Sequence, residues 1–131
     1  MLFAIQNATL FDDGYGEDTT TLNLESSMAT MTGNEAGLFV LSGTMGNMIS
    51  VRSLLTQPPH AVLCDQRAHI TYLEAGGIAM LCGAMVNGIM PRNGMYLTLE
   101  DIRDNVVLSD DVHACPTKVI SLENTLRGMH T

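Results

Sequence analysis

The sequence predicts an α/β fold, a mainly parallel sheet with flanking helices. Two observations carry this. A short, nearly continuous apolar run at residues 36–41 suits a strand buried on both faces, and 61–64 and 118–122 read as further short strands. Between them lie longer segments with helix start and stop signals, so strands alternate with helices. With only about four candidate strands, the sheet is expected to be incomplete.

The elements follow in chain order. Residues 1–18 form an N-terminal segment that ends in an acidic, glycine-punctuated loop, Asp12-Asp13-Gly14-Tyr15-Gly16-Glu17-Asp18. Thr19 to Thr21 offer N-caps for a helix reaching Thr32, with Gly33 as its stop. The run 36–41 is a buried strand. A second helix covers 44–55, with Met45, Met48, Ile49, Leu54 and Leu55 apolar, and Pro58-Pro59 ends it. Residues 61–64 are a strand, and 69–75 a helix closed by Gly76-Gly77. Residues 78–86 are apolar and glycine-interrupted, and helix and strand remain open for them. Thr98 caps a helix to about Val107, and 118–122 is the last strand. Residues 19–131 read as one partial domain.

Composition narrows the function. A 46% apolar content excludes general disorder. Six basic and fourteen acidic residues give a net charge of −8, which opposes nucleic-acid binding and docking on anionic lipid. It leaves room for a small anion held by backbone N–H groups. Cys64, Cys82 and Cys115 are widely spaced without a CxxC pair, which fits reduced thiols in a cytoplasmic protein. His60, His69, His113 and His130 are also scattered, and no metal site is expected. Residues 1–5 are too short for the core of a secretion signal, and no apolar run approaches the roughly 20 residues that span a bilayer.

Two features can carry chemistry. In the turn Ser42-Gly43-Thr44-Met45-Gly46, a strand runs in and a helix leaves. The first N–H groups of that helix lack intrahelical partners, and the helix dipole adds positive potential. Gly43 lets a ligand approach, and the Ser42 and Thr44 hydroxyls can donate to phosphate oxygens. The same residues equally describe an N-cap with a glycine for packing. The turn is no Walker A loop, because no Gly-Lys-Ser/Thr follows. His69 follows the strand 61–64 at the same sheet edge, where an imidazole can stack on a flat cofactor or move a proton. It also fits a surface or capping histidine.

Four blocks then come into register. They are Gly14-Tyr15-Gly16-Glu17-Asp18; Ser42-Gly43-Thr44-Met45-Gly46-Asn47; Cys64-Asp65-Gln66-Arg67-Ala68-His69-Ile70 with Glu74-Ala75-Gly76-Gly77; and Ser121-Leu122-Glu123-Asn124-Thr125. In order and spacing they resemble the low-specificity L-threonine aldolases, fold-type-I pyridoxal-phosphate (PLP) enzymes of the β-eliminating-lyase group. The resemblance implies part of a PLP-binding large domain. It implies that Ser42, Gly43 and Thr44 hold the cofactor phosphate. His69 would stack on the pyridine ring and serve as, or position, the base for the substrate hydroxyl. Glu123 and Asn124 would lie near the cofactor, and Tyr15 would border a neighbouring subunit's site. Arg67 receives no role and reads as a solvated salt bridge. The implied reaction cleaves threonine, allo-threonine or a similar β-hydroxy-α-amino acid to glycine and an aldehyde. The implied assembly is a homo-oligomer, a dimer or tetramer.

Departures from the family pattern bear on the reaction. Leu73 stands where an aromatic residue is usual, and Leu126 where many members have a histidine. An amino-acid racemase of the alanine type on the same scaffold therefore stays open. The later family block, with the ring-nitrogen aspartate, the carboxylate-binding arginine and the Schiff-base lysine, has no counterpart; the only lysine, Lys118, lies in the wrong block. The chain as given is thus expected to be inactive alone, and a remnant or a subunit that docks on a full-length relative is a third reading.

Overall fold

A computed structural model of the chain describes residues 1–126. His130 lies outside the described residues. The chain forms two compact units, Met1–Leu41 and Ser42–Thr131.

In the first unit, helix α1 (Leu2–Gln6) leads to a 3-10 turn at Asp13–Tyr15. Asp12 closes that turn by accepting the Gly14 N–H, and Gly16 leaves it with φ 69°. Helix α2 (Thr19–Thr32) starts one residue earlier than its threonines suggested. Asp18 is the N-cap and accepts the Thr20 N–H at 3.0 Å and the Thr21 hydroxyl at 2.9 Å. A carboxylate suits the positive end of the helix dipole better than a hydroxyl does. Those two bonds, the hydroxyl's first, hold its carboxyl below the usual range. Gly33, at φ 69°, ends α2 as expected.

The expected strand at 36–41 is absent, which corrects the sequence reading. Leu38 and Leu41 are exposed, and the backbone donor a ladder would need is already taken: Glu25 of α2 accepts the Phe39 N–H at 2.7 Å. Gly37 lies so close to α2 that a Cβ there would sit 2.9 Å from the Glu25 carbonyl oxygen. The segment is thus held along a helix as an extended strap.

The second unit holds a three-stranded parallel sheet in the order β2-β1-β3, with β1 Ala61–Asp65, β2 Met85–Ile89 and β3 Thr117–Ser121. All of β1 is buried, as a central parallel strand requires. An irregularity between Ala61 and Val62 shifts the β3 register, so Val62 faces Val119 and Lys118 has no opposite number. Helix α3 (Gly43–Leu54) packs on the sheet through Met48 and Val51, with Leu55 at its C-cap joining the same core. These share one face at helical spacing, whereas Met45, Ile49 and Leu54 of the expected stripe are exposed.

The expected helix 69–75 is shorter, ending as α4 (His69–Tyr72). Glu74 turns inward, and Ala75 and Gly76 take positive φ before α5 (Gly77–Met80). The open segment 78–86 thus resolves into the end of α5 and the start of β2. Helix α6 (Leu99–Asn105) begins with a reciprocal capping box: Thr98 accepts the Asp101 N–H and Asp101 accepts the Thr98 N–H. Among the described residues no helix is long and apolar enough to cross a membrane.

Candidate functional site

The C-terminal ends of β1 and β3 lie side by side in a parallel sheet, where the backbone diverges and loops replace ladder bonds. Asp65 ends β1; Ser121 ends β3 and leads into Leu122-Glu123-Asn124. Together with Tyr96, Leu97 and Leu126 they line a cleft. Open α/β sheets bind ligands at this edge.

The start of α3 belongs to the same unit. The Ser42 hydroxyl accepts the Met45 N–H at 3.1 Å, and the Ser42 carbonyl accepts the Gly46 N–H. The capping role is therefore real, and it leaves the Ser42 hydroxyl proton free to donate. The Gly43 and Thr44 N–H groups make no hydrogen bond among the described residues, and a Cβ on Gly43 would meet nothing within 4 Å. Open space thus lies over Gly43, beside two amide donors without a described partner.

One turn along α3, Asn47 Nδ2 donates to Glu74 Oε1 at 2.6 Å. The same oxygen lies 3.0 Å from Nδ1 of His69, while the His69 backbone N–H donates to Glu123 Oε2 at 2.6 Å. A continuous chain of contacts thus runs from the first turns of α3 through Glu74 to His69 and on to the end of β3. Glu74 is fully buried, and the His69 ring is half exposed. Asn124 lines the cleft and Thr44 is half-buried. Leu73 is exposed; Leu126 both borders the cleft and enters the core. Tyr15, in the first unit, is exposed.

Arg67, given no role above, is a structural clamp. Its Nε and Nη2 donate to the two oxygens of Asp65 at 3.0 and 2.8 Å, and its Nη1 and Nη2 donate to the carbonyls of Gly94 and Met95. It thereby ties the end of β1 to the loop that carries Tyr96. Burial raises the Asp65 carboxyl, but the Arg67 hydrogen bonds outweigh it and hold the group below its ordinary value. Burial pushes the Cys64 thiol up. Among the described residues no cluster of three or more metal-ligating side chains occurs.

Glu74 and Asn47 lie within the sequence motifs, but the sequence alone assigns neither a role. The signal that could have marked them is the acidic residue five positions after His69 and the amide one turn past the glycine turn.

A parallel α/β unit with an open helix start, a carboxylate-supported histidine and a cleft at the strand ends has the layout of an α/β enzyme's ligand site. The chain matches the family model of the beta-eliminating lyases over residues 1–129. It is 57% identical to a low-specificity L-threonine aldolase of Candida albicans over 94% of its length, and 52% identical to that of Saccharomyces cerevisiae over 98%. It is 43% identical to an alanine racemase of Cochliobolus carbonum. The structure of Leishmania major threonine aldolase superposes with a TM-score of 0.71 at 26% identity, over 91% of this chain and 34% of that one. The chain belongs to the beta-eliminating lyase family. It spans about a third of the length of the curated relatives it matches.

Proposed function

We propose that this chain supplies the phosphate-binding turn and the histidine of a PLP-dependent lyase of the threonine aldolase type. Such an enzyme cleaves threonine, allo-threonine or a similar β-hydroxy-α-amino acid to glycine and an aldehyde. The observation that carries the reading is the chain of contacts linking the α3 start, with its two unused amide donors, to His69. The donor set fits the group: a phosphate needs N–H and O–H donors, which Gly43, Thr44 and Ser42 offer at the positive end of a twelve-residue helix. When bound, PLP supplies an electron sink for the pair released at Cα. His69, whose ring is half exposed, would stack on the bound ring and serve as, or position, the base for the substrate hydroxyl. Glu123 and Asn124 shape the strand-end side of the site, and Tyr15 borders that of a neighbouring subunit in a homo-oligomer. The three free cysteines fit a cytoplasmic setting. The similarity to an alanine racemase and the leucines at 73 and 126 support amino-acid racemisation as the second reading.

The test is titration of the chain with inorganic phosphate and with PLP, followed by amide NMR. Saturable shifts at Gly43 and Thr44 are expected, with Thr44→Ala weakening binding by about 1 kcal/mol, the scale of one hydrogen bond. Unmoved Gly43 and Thr44 amides would leave the turn a helix cap and nothing more.

A further inference from the structure

We propose that Glu74 is a positioning residue that fixes His69 in its Nδ1–H tautomer and so keeps Nε2 as an unprotonated acceptor for the reaction; this rests on His69 acting as proposed above.

Glu74 Oε1 receives Asn47 Nδ2 at 2.6 Å and faces His69 Nδ1 at 3.0 Å. An ionised carboxylate has no proton to give, so Oε1 accepts from both the Asn47 amide and the imidazole. Nδ1 is then the donor, and in a neutral ring Nε2 is the acceptor. A histidine held the other way round would offer an N–H where a base is needed. The second contact on the ring's residue, from the His69 backbone N–H to Glu123 Oε2, is made by the main chain. The contact at Nδ1 itself is with Glu74.

The burial of Glu74 argues that the group is kept for this task and not for stability. Its side chain is fully inaccessible, and Oε2 has no hydrogen-bond partner among the described residues. A buried carboxyl with one oxygen unsatisfied is an unfavourable way to fill space. An apolar side chain of similar volume in such a place is often neutral or stabilising. Asn47 completes the device, because its amide braces the carboxylate from the helix whose start offers the anion donors.

The experiment reads the ring directly. The chain is prepared with 15N-labelled histidine, sedimented, and examined by magic-angle-spinning NMR at mildly alkaline pH, where imidazoles are neutral. This method does not require a monomer. The His69 signals are assigned by their loss in His69→Asn. The wild-type chain should show a protonated Nδ1 and an unprotonated Nε2. Glu74→Leu should move His69 to the Nε2–H form that free histidine side chains prefer in water. Glu74→Gln, which keeps an acceptor oxygen, should restore Nδ1–H. A wild-type His69 in the Nε2–H form overturns the proposal without any variant, and so does an Nδ1–H signal that persists in Glu74→Leu. No cofactor enters the measurement. Failure here is therefore distinct from failure of the phosphate titration, which tests the site itself.

Discussion

Replacing Arg67 by alanine tests whether the clamp at the end of β1 matters. The side chain makes four hydrogen bonds, two to Asp65 and one each to the Gly94 and Met95 carbonyls. The Asp65 side chain is only 7% exposed, and after the substitution it would keep just the Arg67 backbone N–H at 2.8 Å. Breaking a buried pair by removing one partner costs about 3–5 kcal/mol. Arg67 is 21% exposed, so water can reach part of the vacated space, and about 2–3 kcal/mol is the expected loss. Lysine keeps the charge but not the planar fork that spans both Asp65 oxygens, and should recover roughly half of it. Urea unfolding followed by circular dichroism measures this. The pH dependence supplies a second check. The folded Asp65 carboxyl lies below its ordinary value, so its charge stabilises the fold fully above that value. The contribution is lost as pH falls through the folded value. The deficit of Arg67→Ala should therefore be widest near neutrality and narrow below about pH 4. A deficit under about 0.5 kcal/mol at neutral pH, the range of ordinary surface changes, would return Arg67 to a solvated surface pair.

Further outcomes follow from single groups. Lys118, the chain's only lysine, is exposed near the start of β3, at the opposite end of the strand from Glu123, so added PLP should give no stoichiometric Schiff-base absorption band; a band that vanishes in Lys118→Ala would refute this. Burial raises the thiols of Cys64 and Cys82, while Cys115 is partly exposed, so a thiol reagent should label one cysteine quickly and the others only on unfolding. Rapid labelling of all three would contradict the core described for the second unit. Thr98→Ala removes the α6 cap and should cost about 1 kcal/mol in the same urea assay; no change would show that the capping box carries no weight.

Local signals were legible where they are self-contained. Thr98 with Asp101, Gly33 after Thr32, and the apolar run Ala61–Cys64 of β1 each follow from a few neighbouring residues, and each appears in the structure. Illegible parts depend on residues distant in sequence. The run 36–41 has a strand's composition, but a strand exists only through a ladder, and Glu25, fourteen residues before Phe39, takes its donor. The shortness of α4 follows from Glu74 reaching Asn47, 27 residues earlier. No periodicity encodes that contact. The same holds for Arg67, whose partners at Gly94 and Met95 lie beyond α4, α5 and β2. The Ser42-Gly43-Thr44 turn was legible as a motif, yet its two readings coexist. Ser42 caps the helix, and the adjoining N–H groups remain open.

The proposed anion site, in an acidic chain with no basic residue in the turn, poses an electrostatic question on which the local geometry bears. A net charge of −8 repels phosphate at long range, but salt screens that repulsion beyond roughly 8 Å. Inside that distance the local arrangement decides. Three acidic side chains, two at strand ends and one between α4 and α5, are committed to donors. Asp65 is neutralised by the Arg67 fork, Glu74 is buried between Asn47 and His69, and Glu123 holds the His69 N–H. None of the three depends on the first N–H groups of α3 for a partner. Those groups therefore keep their positive potential for a ligand, in a chain whose overall charge argues against one. The acidic residues contribute by positioning the histidine and the strand ends while their own charges are held elsewhere. A lysine or arginine in the turn would add attraction, but it would also compete for these carboxylates and loosen the contacts that hold His69 in place.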